Sequence, residues 1–441
     1  MPLIEEIDLY LFFEILGCVL LLNYLLFRRL LMAFVDPIWF MVIINTTVTL
    51  TLIIYDRAVK NEIFSLTIAY VVSSHLAFIL GAWVTKIFIM RNLSPQYMQT
   101  SKVNVSNPER AATVLKISTV FMLLITAYYV ATGLPALSSD PELARVLARK
   151  GGGGVVARLF NVFGYMSMTL WFYCRLKKIR LGLVWSVLGL GLPVFLILFV
   201  GAKASVLLIY ISLFYVSYYA AFESGKKFHF SSKYFFITAG AVLCVSFVLL
   251  FARAGEAGAT DSIEFATLQL IGRIAFAGVG AAHYFSTYIP DLTNFGPFDY
   301  IYQYWILPLF GPLRIFDYGP TVGSMLAMSI TGDDTFGPNP SMYVEGAIYF
   351  GRVFGVFYCA MVGVIFSIFR YLPLRLRRLP AFVRVTLFSV GNMLIMSMTY
   401  DMILFVGDVV NFLFFMGPLL AAFLLIGASL HRERRKTMLE G

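Results

Sequence analysis

Apolar residues run along this chain in blocks of about 20, the length a helix needs to cross a bilayer, and short polar segments separate the blocks. About eleven blocks read as membrane-spanning helices: 9–27, 37–55, 63–90, 111–133, 157–175, 181–200, 204–222, 234–252, 343–369, 381–405 and 409–430. The strands of a β-barrel would be about half as long and would alternate apolar with polar positions. The pattern therefore predicts an all-α polytopic integral membrane protein, with 1–441 forming a single transmembrane domain. The stretch 262–289 is ambiguous. A twelfth crossing there would move the chain's basic tail to the outside, so an interfacial or re-entrant helix is expected.

Composition agrees with that class. Hydrophobic residues make up 60% of the 441 and charged residues 13%, and the mean hydropathy is +0.82. A soluble domain of this composition would be one continuous exposed apolar patch. The start, MPLIEEIDLY, is acidic, unlike a cleavable signal peptide. Cys18, Cys174, Cys244 and Cys359 lie far apart in apolar runs without CxxC spacing, so neither a disulfide framework nor a metal site is expected.

Charge sets the expected orientation. With the acidic start outside and the HRERRK tail inside, about 23 basic residues fall in cytoplasmic loops, including the run from Arg370 to Arg384. Most of the net charge of +10 is thus topological, and no nucleic-acid partner is implied. A second basic set remains on the outer face: Arg145, Arg149, Lys150, Arg158, Lys203, Arg253, Arg273, Arg314 and Arg352. Short external loops normally avoid Lys and Arg, so this set points to an anion held there, and a lipid-linked phosphate or diphosphate is the natural candidate. Three external segments carry it: a periplasmic loop 134–157 with a short basic helix, a tight turn 201–203, and a large loop 253–342 expected to fold over a cavity as a lid.

In SSDPELARVLARKGGGGVVAR (138–158), Asp140 and Pro141 start a short helix that Gly151 ends. Arg145 and Arg149, four apart, share one face, and Arg158 stands at the mouth of the next span. Guanidinium forks match phosphate oxygens in pairs; anchoring to lipid headgroups is the plainer account. Lys203, in Gly201-Ala-Lys203, sits at a hairpin where the next helix's N-terminus adds partial positive charge, although a snorkelling lysine would look the same. In FGPNPSMYVEGAIYFGRVFG (336–355), Glu345 falls in the first turns of an apolar helix, placed to act as a general base or to orient substrate. Ser341 makes a helix-capping account compete. Arg352, two turns further in, is expected to face a polar cavity or to pair with Glu345.

Weaker signals complete the set. Segment 295–318 interleaves aromatics with Asp299, Arg314 and Asp317, which suits sugar rings and equally an interfacial aromatic belt. His283 reads first as a packing residue and second as a substrate contact. Asp401 and Asp408 flank the last external loop. Asp333-Asp334 lacks a third metal ligand at useful spacing. Glu14 and His75 are the clearest ionisable residues near mid-span.

Gly201-Ala-Lys203 at a tight outer hairpin, a long external loop, and then Ser341, Glu345, Phe350, Gly351 and Gly355 opening a late span resemble the O-antigen polymerase (Wzy-type oligosaccharide repeat unit polymerase) family. Lysine stands at 203 where the family more often has arginine. The resemblance implies a glycosyltransferase C-type membrane fold in the bacterial inner (cytoplasmic) membrane, with the active site facing the periplasm. It implies undecaprenyl-diphosphate-linked oligosaccharide as both donor and acceptor, the lipid bilayer as a partner, and room for a chain-length regulator protein. Under it Glu345 is catalytic, and Arg145, Arg149, Arg158, Lys203, Arg253 and Arg273 bind diphosphate. Arg314, Arg352, Tyr343 and His283 bind substrate. No cofactor or metal is expected, because diphosphate is itself a good leaving group and arginines can offset its charge. Three other readings stay open: an O-antigen ligase acting on lipid A core, a flippase or transporter for the same lipid-linked sugar, and a non-catalytic scaffold.

Overall fold

The computed structural model describes residues 9–60, 65–91, 108–138, 153–200, 207–234, 280–310, 321–332, 340–376 and 378–422, with a few single positions between them. Among these no strand occurs. The principal helices are α1 (Leu9–Phe27), α2 (Trp39–Lys60), α3 (Leu66–Met90), α4 (Pro108–Thr132), α5 (Gly153–Leu176), α6 (Leu183–Phe199) and α7 (Leu207–Glu223). They continue with α8 (297–310), α9 (Val322–Thr331), α10 (Met342–Arg375), α11 (Ala381–Leu394) and α12 (Met402–Asn411). Among the described residues, five apolar stretches are long enough to cross a bilayer: Leu66–Met90, Glu109–Leu137, Gly154–Leu176, Met342–Arg375 and Met402–Ala422. Others of 10–17 residues accompany them. The protein is a membrane-embedded all-α protein.

The hydrophobic blocks locate most helices, and the structure corrects two boundaries. The block 381–405 is not one helix, because the chain leaves helical geometry at 395–401. There the Thr399 carbonyl accepts from Met342 N (2.9 Å) instead of closing a helical turn. Asp401 Oδ1 then accepts from Leu404 N (2.8 Å), starting α12 as an N-cap would. The block 343–369 also ends too early: α10 runs to Arg375, and Arg370 is fully buried inside the protein. Of the expected span 234–252, most lies outside the described residues, as does most of 262–289, where 280–286 is helical.

The chain divides into two compact units. The first comprises Met1–Ser94, His229–Arg375 and Leu394–Val406. Its core is the pairing of α3 with α10. Small residues let these backbones approach, as membrane helices require in the absence of a hydrophobic driving force between them: Gly363 faces the Phe78 carbonyl, and Ser367 Oγ donates to the Ala82 carbonyl (2.6 Å). At one end of this pair Arg370 makes an ion pair with Asp36, both side chains fully buried. Asp36 also accepts from Met32 N (2.8 Å) and Ile38 N (3.2 Å), so one carboxylate ties the loop after α1 to α10.

The second unit comprises Pro95–Phe228, Leu376–Met393 and Gly407–Gly441. Here α4, α5, α6 and α7 pack together, with Phe121 stacked on Phe163 (4.3 Å between centroids). Buried hydroxyls act as cross-links: Ser167 Oγ donates to the Gly189 carbonyl (2.7 Å), and Thr169 Oγ1 to Ser389 Oγ (3.2 Å). Glu223, at the end of α7, pairs with Lys177 and Arg384.

Candidate functional site

Glu345, the expected catalytic residue, lies in the first unit. Pro340 precedes the helix, and α10 begins at Met342, so Glu345 falls in its first turn. Its side chain is fully buried. Oε1 accepts from the Tyr304 hydroxyl (3.0 Å) and from Met402 N (3.3 Å), and Oε2 accepts from the Tyr358 hydroxyl (2.9 Å). None of these partners is a cation. The carboxylate is held by hydroxyls and one amide, which supply directed hydrogen bonds without neutralising its charge.

The rings around it form one aromatic wall. Tyr300 stacks on Tyr304 (4.6 Å) and meets Tyr349, Phe350 and Tyr358 edge-on at 5.3–5.4 Å. Its hydroxyl donates to Tyr358 Oη (3.4 Å), extending the hydrogen-bonded set. Tyr349 donates to Gln303 Oε1 (2.7 Å). Tyr304 lies in a π-helical turn, Tyr302–Ile306, inside α8; such turns concentrate at functional sites. Burial and the neighbouring Glu345 charge raise the Tyr304 hydroxyl well above the ordinary phenol range, so it is a hydrogen-bond donor to the carboxylate.

The Phe350-Gly351-x-x-x-Gly355 element acts through the backbone. Gly351 has φ 71° and ψ 168°, a region only glycine enters without strain. It divides α10 into two helical segments that fold against one another. A Cβ on Gly355 would lie 2.9 Å from the Gly346 carbonyl group, and the Tyr70 hydroxyl fills the remaining space while donating to the Tyr343 carbonyl (2.8 Å).

This break corrects the expected place of Arg352. It is not two turns further along a straight helix from Glu345. It opens the second segment, exposed, with its guanidinium 5.9 Å from the centre of the Phe285 ring. Capping by Ser341 is also overturned: among the described residues its hydroxyl is buried without a hydrogen-bond partner, as is that of Thr399. Thr399 is the acceptor of the Met342–Thr399 backbone hydrogen bond and Ser341 adjoins its donor, so both buried hydroxyls lie close to the start of α10.

Tyr343 is fully buried, and its hydroxyl is engaged with His75 Nδ1 (2.8 Å) instead of being open to a ligand. His283 is half-buried, with Nε2 on Ser329 Oγ (2.8 Å); burial lowers its pKa. Asp299 Oδ2 accepts from Gly296 N (2.8 Å), a cap at the start of α8. Asp401 is pushed up to about 6 by burial.

The second unit includes the basic stretch 138–158. A cleft of 670 Å³ opens at the end of α4, lined by Tyr128, Thr132, Gly133, Leu134, Ala144 and Ala148 among others. Ala148 N bonds to the Ala144 carbonyl (2.8 Å) at the edge of the cleft. Arg145 and Arg149 belong to the same stretch but lie outside the described residues, as do Lys150, Lys203, Arg253, Arg273, Arg314, Asp317 and Asp333-Asp334. Arg158 is in the second turn of α5, partly exposed. Among the described residues no group of three or more His, Cys, Asp or Glu comes together that could hold a metal ion.

Sequence reasoning singled out Glu345 but not its partners. Tyr300 and Tyr304 lay within a segment equally readable as an aromatic belt, and Tyr358 was one tyrosine in an apolar run. Asp36 and Asn23 gave no local signal. The chain matches no known protein family, no curated protein and no solved structure.

Proposed function

We propose that the protein is a membrane glycosyltransferase that polymerises undecaprenyl-diphosphate-linked oligosaccharide repeat units at the periplasmic face of the bacterial inner membrane. The observation that carries this reading is the setting of Glu345: a buried carboxylate held by Tyr304 and Tyr358 in a wall of stacked aromatic rings, with no cation among its partners in the described residues. Aromatic faces suit sugar rings, and an unneutralised carboxylate suits proton abstraction from a sugar hydroxyl.

In this reading the acceptor hydroxyl oxygen attacks the anomeric carbon of the donor glycan. The bond from that carbon to the phosphate oxygen breaks, and undecaprenyl diphosphate leaves with the electron pair. The hydroxyl proton passes to Glu345. Tyr304 and Tyr358 cover the carboxylate, so substrate must displace at least one of them. Arg145, Arg149, Arg158, Lys203, Arg253 and Arg273 would bind diphosphate and offset charge on the leaving group; Arg314, Arg352 and His283 would contact the glycan or its phosphates.

The test is incubation of the purified protein in nanodiscs with a synthetic undecaprenyl-diphosphate repeat unit, with chelator and without nucleotide. A ladder of products is expected. Intact substrate with no ladder overturns the reading, and lipid A core is then the acceptor that tests a ligase.

Transport of a lipid-linked sugar is the second reading. Two chain breaks, at Gly351 and at 395–401, adjoin the carboxylates Glu345 and Asp401. Transporters build their sites from such discontinuous helices. Flipping of labelled lipid in proteoliposomes without polymer formation would favour it.

A further inference from the structure

We infer that His75 is a positioning residue for Glu345, acting through the rotation of the first segment of α10. Its relevance to chemistry rests on the glycosyltransferase reading above; the geometry stands without it.

The observation is a chain of hydrogen bonds through the apolar part of the first unit. Asn23 on α1 donates through Nδ2 to Thr46 Oγ1 on α2 (2.7 Å). That leaves Asn23 Oδ1 to accept from His75 Nε2 on α3 (2.8 Å). With Nε2 as donor, Nδ1 accepts, and its partner is the Tyr343 hydroxyl on α10 (2.8 Å). Four helices thus contribute one member each, and every donor and acceptor named has a defined direction.

Tyr343 is two residues before Glu345. A helix turns 100° per residue, so a rotation that releases the Tyr343 ring carries the Glu345 side chain with it. Other contacts hold the same short segment: Met342 N on the Thr399 carbonyl, the Tyr70 hydroxyl on the Tyr343 carbonyl, Met402 N and the Tyr304 and Tyr358 hydroxyls on the Glu345 carboxylate, and the Tyr349 hydroxyl on Gln303 Oε1. The first two of these bind backbone, the next three bind the carboxylate itself, and the last holds the ring at the far end of the segment. Tyr343–His75 is the contact that fixes a side chain on the opposite side of the segment. Because Gly351 interrupts α10, continuous helical hydrogen bonding from the long helix after it does not set the rotation of segment 342–350, which rests on contacts between packed groups. The Tyr343–His75 bond is one of these contacts, and in a dry interior a satisfied polar network is rigid because breaking one bond strands two polar groups.

The structure contains a native reporter. Cys359 is buried, and its thiol donates to the Met342 carbonyl at the start of this segment (3.7 Å). Cys174 is a buried free cysteine of the other unit and serves as the control for general unfolding. Alkylation by N-ethylmaleimide, followed cysteine by cysteine by mass spectrometry in nanodiscs, reads the segment directly. His75→Ala and Tyr343→Phe are expected to speed Cys359 modification about tenfold with Cys174 unchanged. His75→Gln, which retains a donor and an acceptor, is expected to recover most of the protection. Unchanged Cys359, or Cys174 rising in step with it, overturns the inference.

The second readout is turnover of the lipid-linked repeat unit. His75→Ala should lower kcat about tenfold or more and leave KM within about twofold, the signature of a misplaced reacting group. Faster Cys359 modification with unchanged kcat also overturns the positioning role. Wild-type protein without turnover counts against the glycosyltransferase reading alone, since alkylation still decides whether His75 holds the segment.

Discussion

Gly346 and Gly355 face each other across the break at Gly351, so close that a Cβ on Gly355 would sit 2.9 Å from the Gly346 carbonyl group. The contact sets how Glu345 is presented, because it joins the segment that carries the carboxylate to the long helix behind it. Gly355→Ala forces that contact apart, and overpacking of this kind costs about 1–3 kcal/mol. Gly351→Ala adds a side chain at φ 71° and strains the backbone by a similar amount. Both variants should melt earlier in detergent, whereas Gly407→Ala, with nothing near its Cβ position, should melt as wild type does.

Glu345→Gln keeps the shape of the side chain but loses the base. Turnover should fall about 10²-fold or more while the protein stays folded. Full turnover by this variant on purified substrate would exclude Glu345 as the base. Tyr304→Phe and Tyr358→Phe each remove one donor to the carboxylate, a hydrogen bond worth roughly 1.5–3 kcal/mol, and both should shift the pH dependence of turnover.

The buried pair Asp36–Arg370 behaves differently from a surface ion pair. Removing one partner leaves the other charge stranded in the interior, at a cost of about 3–5 kcal/mol. Asp36→Asn or Arg370→Met should therefore lower the yield of folded protein sharply. The double replacement Asp36→Leu with Arg370→Met should recover part of it, measured by size-exclusion profile after extraction.

Asp401 gives a pH signature. Its folded pKa of about 6 lies above the ordinary aspartate value of about 4 because the carboxyl is buried. A raised acid favours the protonated form in the folded state. Its contribution to stability is therefore full below about pH 4 and is lost as pH rises to about 6. Melting temperature should fall across that interval, and Asp401→Asn should remove that part of the slope, because asparagine keeps the Oδ1 acceptor for Leu404 N.

Arg149 and Arg158 test the diphosphate clamp. Replacing both by alanine should shorten the polymer and reduce its yield. Lysine at both positions should restore activity only in part, since an ammonium cannot bind two phosphate oxygens in a fork. Unchanged polymer length and yield would remove the clamp.

By itself the sequence determined the class of the protein and most helix positions, because the length of an apolar run is a local property and a bilayer demands only length and apolarity. It also singled out Glu345, through the Ser341…Gly355 element, and His75, as an imidazole in mid-span. Tertiary structure decided what those residues touch. Glu345 meets Tyr304 and Met402, 41 and 57 residues away, and Asp36 meets Arg370 across 334 residues. Arg370 looked like one more charge of a cytoplasmic loop, and its burial depends on a carboxylate delivered from the far end of the chain. Such pairs leave no trace in hydrophobic periodicity, which records only which face of a helix is apolar. The break at 395–401 escaped the hydrophobic pattern for the same reason: its residues are apolar enough to continue a helix, and only the carbonyl of Thr399 turning to Met342 diverts them.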